Sequence, residues 1–486
     1  MKKIICFISF LLFFFVCKDS ELNINPSDSL DSRSAITTVD DLNAAVLGAY
    51  NRMTINTYYD GQYLTAGDML GDDALSPYSG SGWLNTYSDY SWTKIACPTN
   101  LYKHIYKLIA HMNDVLERSK NLQESPAKTK LIAEIKALRA MVHFDLSKLY
   151  GPLPVNLGKG KIKADALCIP IMDGPKPIKE PESMLRQPVT KVYEFIIKEL
   201  ENALPNLETG KINGRLGQDG ATAVLARAYL YMGNYEKAFE YADKLIKNKA
   251  YSLIPRTEYV KSWKTAYTSE AIFELDVTQE DNNGIASIGY YALADGTQGY
   301  KDISSSPHFD ELKAQDQEDE RFKLFVWYED NKGSGFFPTP KYPGREMYAV
   351  NNIKVYRLSE IYLIAAEALL KLGRGSEAAI LLNSLRKERT TTEPEKYTAA
   401  LTIDDILYER RLELFAEGHR AWDLWRNQKP VVRWRNADEK DKYKFRKDRS
   451  EGVIEFDYFK NILPIHEEQL FLLPDNLRDQ QQNPGY

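Results

Sequence analysis

The sequence predicts a mainly α-helical fold, in which tetratricopeptide-like helix pairs form a scaffold for long irregular loops. Three observations indicate this: apolar residues recur with a helical period, two similar segments lie 140 residues apart, and three long stretches are rich in Pro, Gly or charged residues. Of the 486 residues, 43% are apolar and 27% charged, which is typical of globular proteins and excludes wholesale disorder. The net charge of −5 does not indicate a nucleic-acid partner.

The N-terminal sequence has the pattern of an export signal. Lys2 and Lys3 precede an apolar run from Ile4 to Cys17, which is shorter than the ~20 residues that cross a bilayer but typical of a secretory signal peptide. The position of Cys17 resembles a bacterial lipoprotein signal, whose Cys is lipidated, although Val16 stands where that pattern has a small residue. We therefore expect residues 1–17 to be a signal ending at lipidated Cys17, and residues 18–486 to be one domain.

Only two cysteines remain in the mature chain, Cys97 and Cys168. Pairing is possible in an oxidising compartment, but isolated cysteines are as often unpaired packing residues. The sequence leaves both alternatives open.

Helical periodicity is clearest in the first half of the chain. In residues 133–150, apolar side chains including Ile135, Leu138 and Val142 fall on one stripe. Gly151 and Pro152 follow, an order that predicts a helix end. Residues 191–204 repeat the amphipathic pattern.

Two segments predict antiparallel helix pairs of tetratricopeptide type. RAYLYMGNYEKAFEYADKLI begins at Arg227 and EALLKLGRGSEAAILLNSLR begins at Glu367. Alanines at matching positions permit close helix packing, and Gly233 and Gly373 permit the tight turn. Long loops near residues 151–190, 280–345 and 427–452 interrupt the scaffold, and loops of this length usually bind something or are disordered.

Signatures of catalysis are absent from the sequence, which contains no G-x-S-x-G, Walker or dinucleotide motif. Glu413 and Glu417 resemble an acid/base pair, and they share one predicted helix face with Arg410 and Arg420. Flanking arginines would keep both carboxylates ionised, so we predict a structural ion-pair network at this position and no catalytic residue in it.

Metal and cofactor sites are not predicted. The acidic cluster Asp68, Asp72 and Asp73 lacks the alternating ligands of a calcium loop, although a Ca²⁺ site there is left open. His104 and His111 are two helical turns apart, too far for two ligands of one ion. The basic run of residues 442–449 is interpreted as a solvated loop.

Six motifs together resemble the SusD/RagB-like outer-membrane nutrient-binding lipoproteins. In chain order they are SDSL…AITTVDDLNAAVLGAYNRM (27–53), GDMLGDD (67–73), ALRAMVHFDLSKLYGPLP (137–154), YRLSEIYLIAAEALLKLG (356–373), ERRLELFAEGHRAWDLWR (409–426) and QNPGY (482–486). The resemblance implies an α–α superhelix of tetratricopeptide-like pairs and lipid attachment to the outside of the outer membrane. It also implies delivery of a captured oligosaccharide, or in some members a peptide, to a SusC-like TonB-dependent transporter. Catalysis and cofactors are not expected.

The stretch SGSGWLNTYSDYSW (79–92) combines loop-forming residues with four aromatic rings. In starch-binding members of the family, the corresponding loop supplies aromatic rings that stack on sugars. Exposed rings recover apolar area from the C–H face of a sugar, while nearby Asn or Asp side chains take its hydroxyls. The predicted ligand-binding residues are Trp83, Asn85, Tyr87, Asp89, Tyr90 and Trp92, with Tyr290 and Tyr291 as weaker candidates.

A structural alternative is equally open for these rings, because Trp83, Tyr87 and Tyr90 are spaced as one helical stripe that could face the core. Three functional alternatives also stand beside oligosaccharide capture. One is a peptide-binding RagB-like member of the same family, and another is a protein-interaction scaffold that binds no ligand. The third is an enzyme, which would need a carboxylate pair that faces a cleft without flanking arginines.

Overall fold

The computed structural model describes residues 36–77, 80–175, 184–330, 333–434, 438 and 452–486. The predicted signal peptide, Cys17 and the basic run of residues 442–449 lie outside these residues. The predicted fold class is confirmed, because helices dominate the described residues and the strands found there are short antiparallel pairs.

The helices are numbered in chain order. They are α1 (Val39–Met53), α2 (Gln62–Met69), α3 (Asn85–Asp89), α4 (Thr99–Ser119), α5 (Pro126–Tyr150), α6 (Val189–Ala203), α7 (Gln218–Met232), α8 (Tyr235–Ile246), α9 (Tyr259–Ser262), α10 (Ile288–Ala292), α11 (Pro307–Gln315), α12 (Leu358–Lys371), α13 (Gly375–Lys387), α14 (Ile403–Glu413), α15 (Arg420–Arg426), α16 (Glu467–Leu470) and α17 (Asp475–Gln481).

In the part of the chain that the structure describes, the strands form four antiparallel pairs. β1 (Ala74–Leu75) pairs with β3 (Ser304–Ser305), β2 (Ala271–Leu275) with β6 (Ile353–Arg357), β4 (Val326–Asp330) with β5 (Gly333–Phe337), and β7 (Val431–Val432) with β8 (Val453–Ile454). Several pairs join distant segments, so they fasten the long loops to the helical scaffold.

Helix α5 is central, and its second half is almost entirely buried. The side chain of Ser125 caps its N-terminus, and the helix ends at Tyr150, as predicted. Gly151 follows because there is no room for a side chain: a Cβ there would lie 2.4 Å from Cys168 Sγ. The loop that carries Cys168 therefore packs directly on the end of α5.

Both predicted helix pairs are present. Gly233 (φ +74°) joins α7 to α8, and Gly373 (φ +75°) ends the turn between α12 and α13, so both glycines adopt the left-handed conformation that their positions require. Helix α8 packs against α12 although more than one hundred residues separate them in sequence. The two pairs are thus spatial neighbours, and the intervening segment leaves the scaffold and returns to it.

Both remaining cysteines are unpaired. Cys168 is buried beside the backbone carbonyl of Ser147, and Cys97 is half-buried beside that of Pro464. The alternative of a disulfide between them is therefore wrong. Within the described ranges, no helix combines the length and the apolar character needed to cross a bilayer.

Candidate ligand-binding platform

Three of the rings predicted to bind ligand are buried in the core. Tyr87, Tyr90 and Trp92 expose only 1%, 7% and 0% of their surface. Tyr90 donates a hydrogen bond to the carbonyl of Leu70, and Trp92 Nε1 donates to the hydroxyl of Tyr486 at 2.6 Å. The short helix α3 turns Tyr87 inward. Ligand binding by these three rings is therefore a wrong prediction, because a buried ring has no face to offer.

Trp83 behaves differently from its neighbours. It precedes α3 and exposes 49% of its surface, which makes it one of the most exposed large apolar side chains of the described structure. Its indole stacks on Tyr300 with ring centroids 6.2 Å apart and planes inclined by 18°. A second ring, Tyr291, lies 6.3 Å away and is tilted by 33°. The surface loop of Trp83 thus meets the second long loop of the chain.

The second loop adds further rings around this contact. Tyr290 is half-buried, and its centroid lies 6.3 Å from that of Tyr300 and 6.1 Å from that of Tyr348. Tyr291 is fully buried, so the prediction that it contacts ligand is wrong; it supports the rings above it. We call the accessible rings of Trp83, Tyr290, Tyr300 and Tyr348 the aromatic platform.

Backbone hydrogen bonds set the geometry of the platform. The N–H of Tyr300 donates to the carbonyl of Tyr290, and the N–H of Asp302 donates to that of Tyr291, both at 2.9 Å. Helix α10, which carries the two tyrosines, is held at its start by Asp60. One oxygen of the Asp60 carboxyl accepts from the N–H of Ile288 at 3.1 Å. Complete burial raises the pKa of Asp60 to about 8.

The two other predicted ligand contacts, Asn85 and Asp89, are half-buried residues of α3, which begins two residues after Trp83. Their role in ligand binding stays a prediction. Sequence reasoning missed Tyr300 and Tyr348. Tyr300 ends the Gly-rich run ADGTQGY (294–300), which has the same composition of small polar residues and aromatics that singled out Trp83.

Two internal cavities among the described residues are too small to be ligand sites. One cavity of about 20 Å³ lies between Tyr63, Lys148 and His419, and another of about 10 Å³ lies beside Trp263 and Lys341. Each has room for about one water molecule. Neither of these two cavities could hold a sugar or a peptide.

Glu413 and Glu417 are buried ion-pair partners, not an acid/base pair. Arg389 donates to Glu413 at 2.9 Å, and Arg357 donates to both glutamates. Lys341 donates to Glu417 at 2.6 Å. These cations hold the pKa of both carboxyls below the usual range despite burial, so neither carries the proton that a general acid needs.

The prediction that Arg410, Glu413, Glu417 and Arg420 share one helix face is wrong. Helix α14 ends at Glu413, and α15 begins at Arg420. Between them Gly418 (φ +78°) packs against the backbone of α2, where a Cβ would lie 2.2 Å from the carbonyl oxygen of Leu64. The ion-pair partners consequently come from distant elements instead of the next helical turn.

The acidic cluster that left a calcium site open is occupied by protein groups. Asp72 accepts from Arg420 at 2.7 Å, and Asp73 pairs with Arg411 and Arg420. Asp68 accepts from the backbone N–H of Gly418. Across the part of the chain that the structure describes, no group of three or more His, Cys, Asp or Glu side chains is arranged to hold a metal ion.

Comparison with known proteins gives the same family at both ends of the chain. The model of the SusD family matches residues 314–486, and a model described as starch-binding associating with outer membrane matches residues 20–230. A curated relative, the SusD-like protein P38 of Formosa agariphila, is 24% identical over 471 residues, which cover 85% of this chain and 88% of the relative.

Solved structures share the fold over nearly the whole length. A SusD superfamily protein of Bacteroides vulgatus is 30% identical, with a TM-score of 0.82 over 93% of this chain and 100% of the other. Surface glycan-binding protein A of Bacteroides thetaiotaomicron, solved in complex with laminarihexaose, is 19% identical with a TM-score of 0.69. The match covers 92% of this chain and 100% of the other chain, and at this identity it supports the fold alone. The helix pairs, the matched family models and the 30% identical structure lead to one conclusion: the chain belongs to the SusD family.

Proposed function

We propose that this protein is a cell-surface nutrient-binding lipoprotein that captures an oligosaccharide on the aromatic platform. The observation that carries the proposal is the stacked pair of Trp83 and Tyr300, which joins two long loops into one accessible aromatic surface. The description of one matched family model as starch-binding supports a carbohydrate ligand. A protein of the same fold was solved with laminarihexaose, which makes that glycan a suitable probe.

The chemistry of the platform suits a sugar. The exposed indole of Trp83 offers an apolar face to the C–H groups of a pyranose ring, so stacking removes apolar area from water without stripping hydroxyl groups of their partners. Tyr290, Tyr300 and Tyr348 each carry a phenol hydroxyl, a group that can form hydrogen bonds with a sugar. Binding of modest affinity follows, because the ligand stays partly solvated and must later be released.

Delivery and anchoring complete the proposal. Captured ligand passes to a SusC-like TonB-dependent transporter in the outer membrane, and the lipid on Cys17 holds the protein at the cell exterior. The lipoprotein-like N-terminal sequence and the family description of outer-membrane association support this part. Globomycin, which blocks lipoprotein signal cleavage, should leave a longer precursor in cells. A Cys17→Ala variant that still matures and stays on the cell surface would contradict lipid anchoring.

The carbohydrate proposal is tested by calorimetric titration of the chain lacking residues 1–17 with laminarihexaose, other glycans and a peptide panel. Trp83→Ala should weaken the affinity about tenfold, because losing roughly 60 Å² of stacked area at about 25 cal/mol per Å² costs about 1.5 kcal/mol. Trp327→Ala is the matched control, since Trp327 is 54% exposed on β4 and contacts no platform ring at stacking distance.

Three outcomes separate the alternatives. Glycan binding that Trp83→Ala weakens and Trp327→Ala preserves supports the proposal. Binding of a peptide without any glycan would favour the peptide-binding alternative. Binding of protein partners alone, with no glycan or peptide ligand, would favour the scaffold.

A further inference from the structure

The loop of residues 80–83, which carries Trp83, is wrapped around one buried carboxylate. Asp302 accepts hydrogen bonds from the hydroxyl of Ser81 at 2.6 Å, from the N–H of Gly82 at 2.8 Å and from the N–H of Trp83 at 3.0 Å. The Asp302 side chain is completely buried. Two of the three donors belong to the backbone of the loop, so the carboxylate determines the path of the chain into Trp83.

The glycines of this loop are explained by the same carboxylate. A Cβ on Gly80 would lie 2.7 Å from Asp302 Oδ1 and equally close to the carbonyl oxygen of Lys301, so only glycine permits this approach. Gly82 adopts φ +91°, a conformation that residues with a side chain rarely reach. The sequence GSGW (80–83) therefore has the residues needed to enclose Asp302 and expose an indole immediately after it.

Asp302 is itself firmly placed, on the same segment as the ring on which Trp83 stacks. Tyr300 precedes it by two residues, and Lys301 between them adopts a left-handed conformation with φ +55°. The ammonium group of Lys301 pairs with Asp330 at 2.6 Å and lies 4.7 Å from the centre of the Tyr328 ring. Such a conformation persists only where the surroundings hold it in place, and here the β4–β5 hairpin does so.

We infer that Asp302 is a positioning residue of the aromatic platform, which fixes the loop of residues 80–83 so that Trp83 lies stacked on Tyr300 before any ligand arrives. Asp302 does not itself contact the ligand; it acts on binding by placing Trp83. Fixing the ring in advance removes the entropy cost of ordering it on binding, which raises affinity without adding a contact. The effect on affinity rests on the proposed function, whereas the effect on the position of Trp83 does not.

The first measurement therefore needs no ligand. The chain lacking residues 1–17 is labelled with 5-fluorotryptophan, and the ¹⁹F signal of Trp83 is identified by its loss in Trp83→Ala. Asp302→Asn, which places an amide N–H₂ among the donors of the loop, should shift or broaden that signal. Asp219→Asn is the matched control: Asp219 accepts from Asn248 and Tyr251 in the helical scaffold, so its loss should lower thermal stability without moving the Trp83 signal.

The second measurement is a double-mutant cycle on laminarihexaose affinity. Asp302→Asn alone should weaken binding about five- to tenfold, and in the Trp83→Ala background it should cause no further loss, because it acts through that ring. Ser81→Ala, which removes one donor from an exposed residue, should give a smaller loss and remains usable if Asp302→Asn does not fold.

The outcomes separate this inference from the proposed function. An unmoved Trp83 signal in both Asp302→Asn and Ser81→Ala overturns the inference, and so do losses of affinity that add in the cycle. Absence of glycan binding to the unmodified chain overturns the proposed function, while a moved Trp83 signal would still support the positioning role.

Discussion

Replacing Glu413 by Gln tests whether the buried ion pairs hold the second half of the fold together. Glu413 is completely buried, at the end of α14. Arg389 binds it through Nε at 2.9 Å and Nη2 at 3.0 Å, and Arg357 binds it and also Glu417. The substitution keeps the size of the side chain but leaves two buried arginines with one carboxylate fewer.

The expected cost follows from this charge imbalance. Breaking a buried pair by removing one partner costs about 3–5 kcal/mol, because an uncompensated charge stays in the interior. For a chain of 486 residues, an unfolding entropy of about 2.1 cal/mol/K per residue amounts to about 1 kcal/mol/K. The melting temperature of Glu413→Gln should therefore fall by about 3–5 °C.

The chain lacking residues 1–17 is denatured by heat and by urea at pH 7, and circular dichroism monitors the unfolding. Glu377→Gln is the matched control, since Glu377 forms an exposed pair with Arg374, and its substitution should leave the midpoint unchanged. Equal midpoints for Glu413→Gln and Glu377→Gln would refute the reasoning.

The pH dependence provides an independent check on Glu413. Its arginine partners hold its pKa well below the ordinary value of 4.5, so the unfolded state takes up this proton first as the pH falls. The stability that the ionised carboxylate contributes is therefore present above about pH 4.5 and is lost below it. The difference in stability between the unmodified chain and Glu413→Gln should shrink on acidification.

Three further predictions concern other parts of the fold. Burial raises the pKa of Asp60 from 3.8 to about 8, so between these pH values the folded state keeps a proton that the unfolded state releases. The stability of the unmodified chain should therefore fall between pH 5 and 8 by up to about 1.4 kcal/mol per pH unit. The urea midpoint of Asp60→Asn should fall less steeply with pH than that of the unmodified chain, and parallel pH dependences of the two midpoints would contradict this. Gly373→Ala should lower the free energy of unfolding in urea by about 1 kcal/mol, because a side chain is strained at φ +75° although the surrounding space is open. Gly174 is equally open but has no positive φ, so Gly174→Ala should leave the stability unchanged. Equal effects of the two substitutions would refute the explanation. A thiol reagent should label neither Cys97 nor Cys168 readily in the folded chain, since burial raises their pKa values to about 11 and 12, and should label both after denaturation. A disulfide between them would consume both thiols, so labelling of neither thiol in denatured, unreduced protein would contradict the unpaired state.

Local patterns were sufficient for the scaffold. The stripe through Ile135, Leu138 and Val142 and the break at Gly151 correspond to α5, because an amphipathic helix is defined by neighbours three and four residues apart. The 140-residue repeat likewise predicted the α7–α8 and α12–α13 pairs, since alanine contacts and a turn glycine are encoded within one short segment. The packing of α8 on α12 depends on the return of the intervening chain and has no such local pattern.

The ligand surface shows where sequence patterns stop. The sequence by itself identified residues 79–92 and 280–345 as aromatic-rich segments outside the helix pairs, and Trp83, Tyr87, Tyr90 and Trp92 as the rings to consider. Only the tertiary structure decided that Trp83 is exposed while the other three are buried. It also decided that the indole of Trp83 stacks on Tyr300 and that the N–H of Trp83 donates to the carboxylate of Asp302, although more than two hundred residues separate Trp83 from both partners in sequence. The physical reason is that periodicity reports which side chains share a face, whereas exposure depends on what the rest of the chain places against that face.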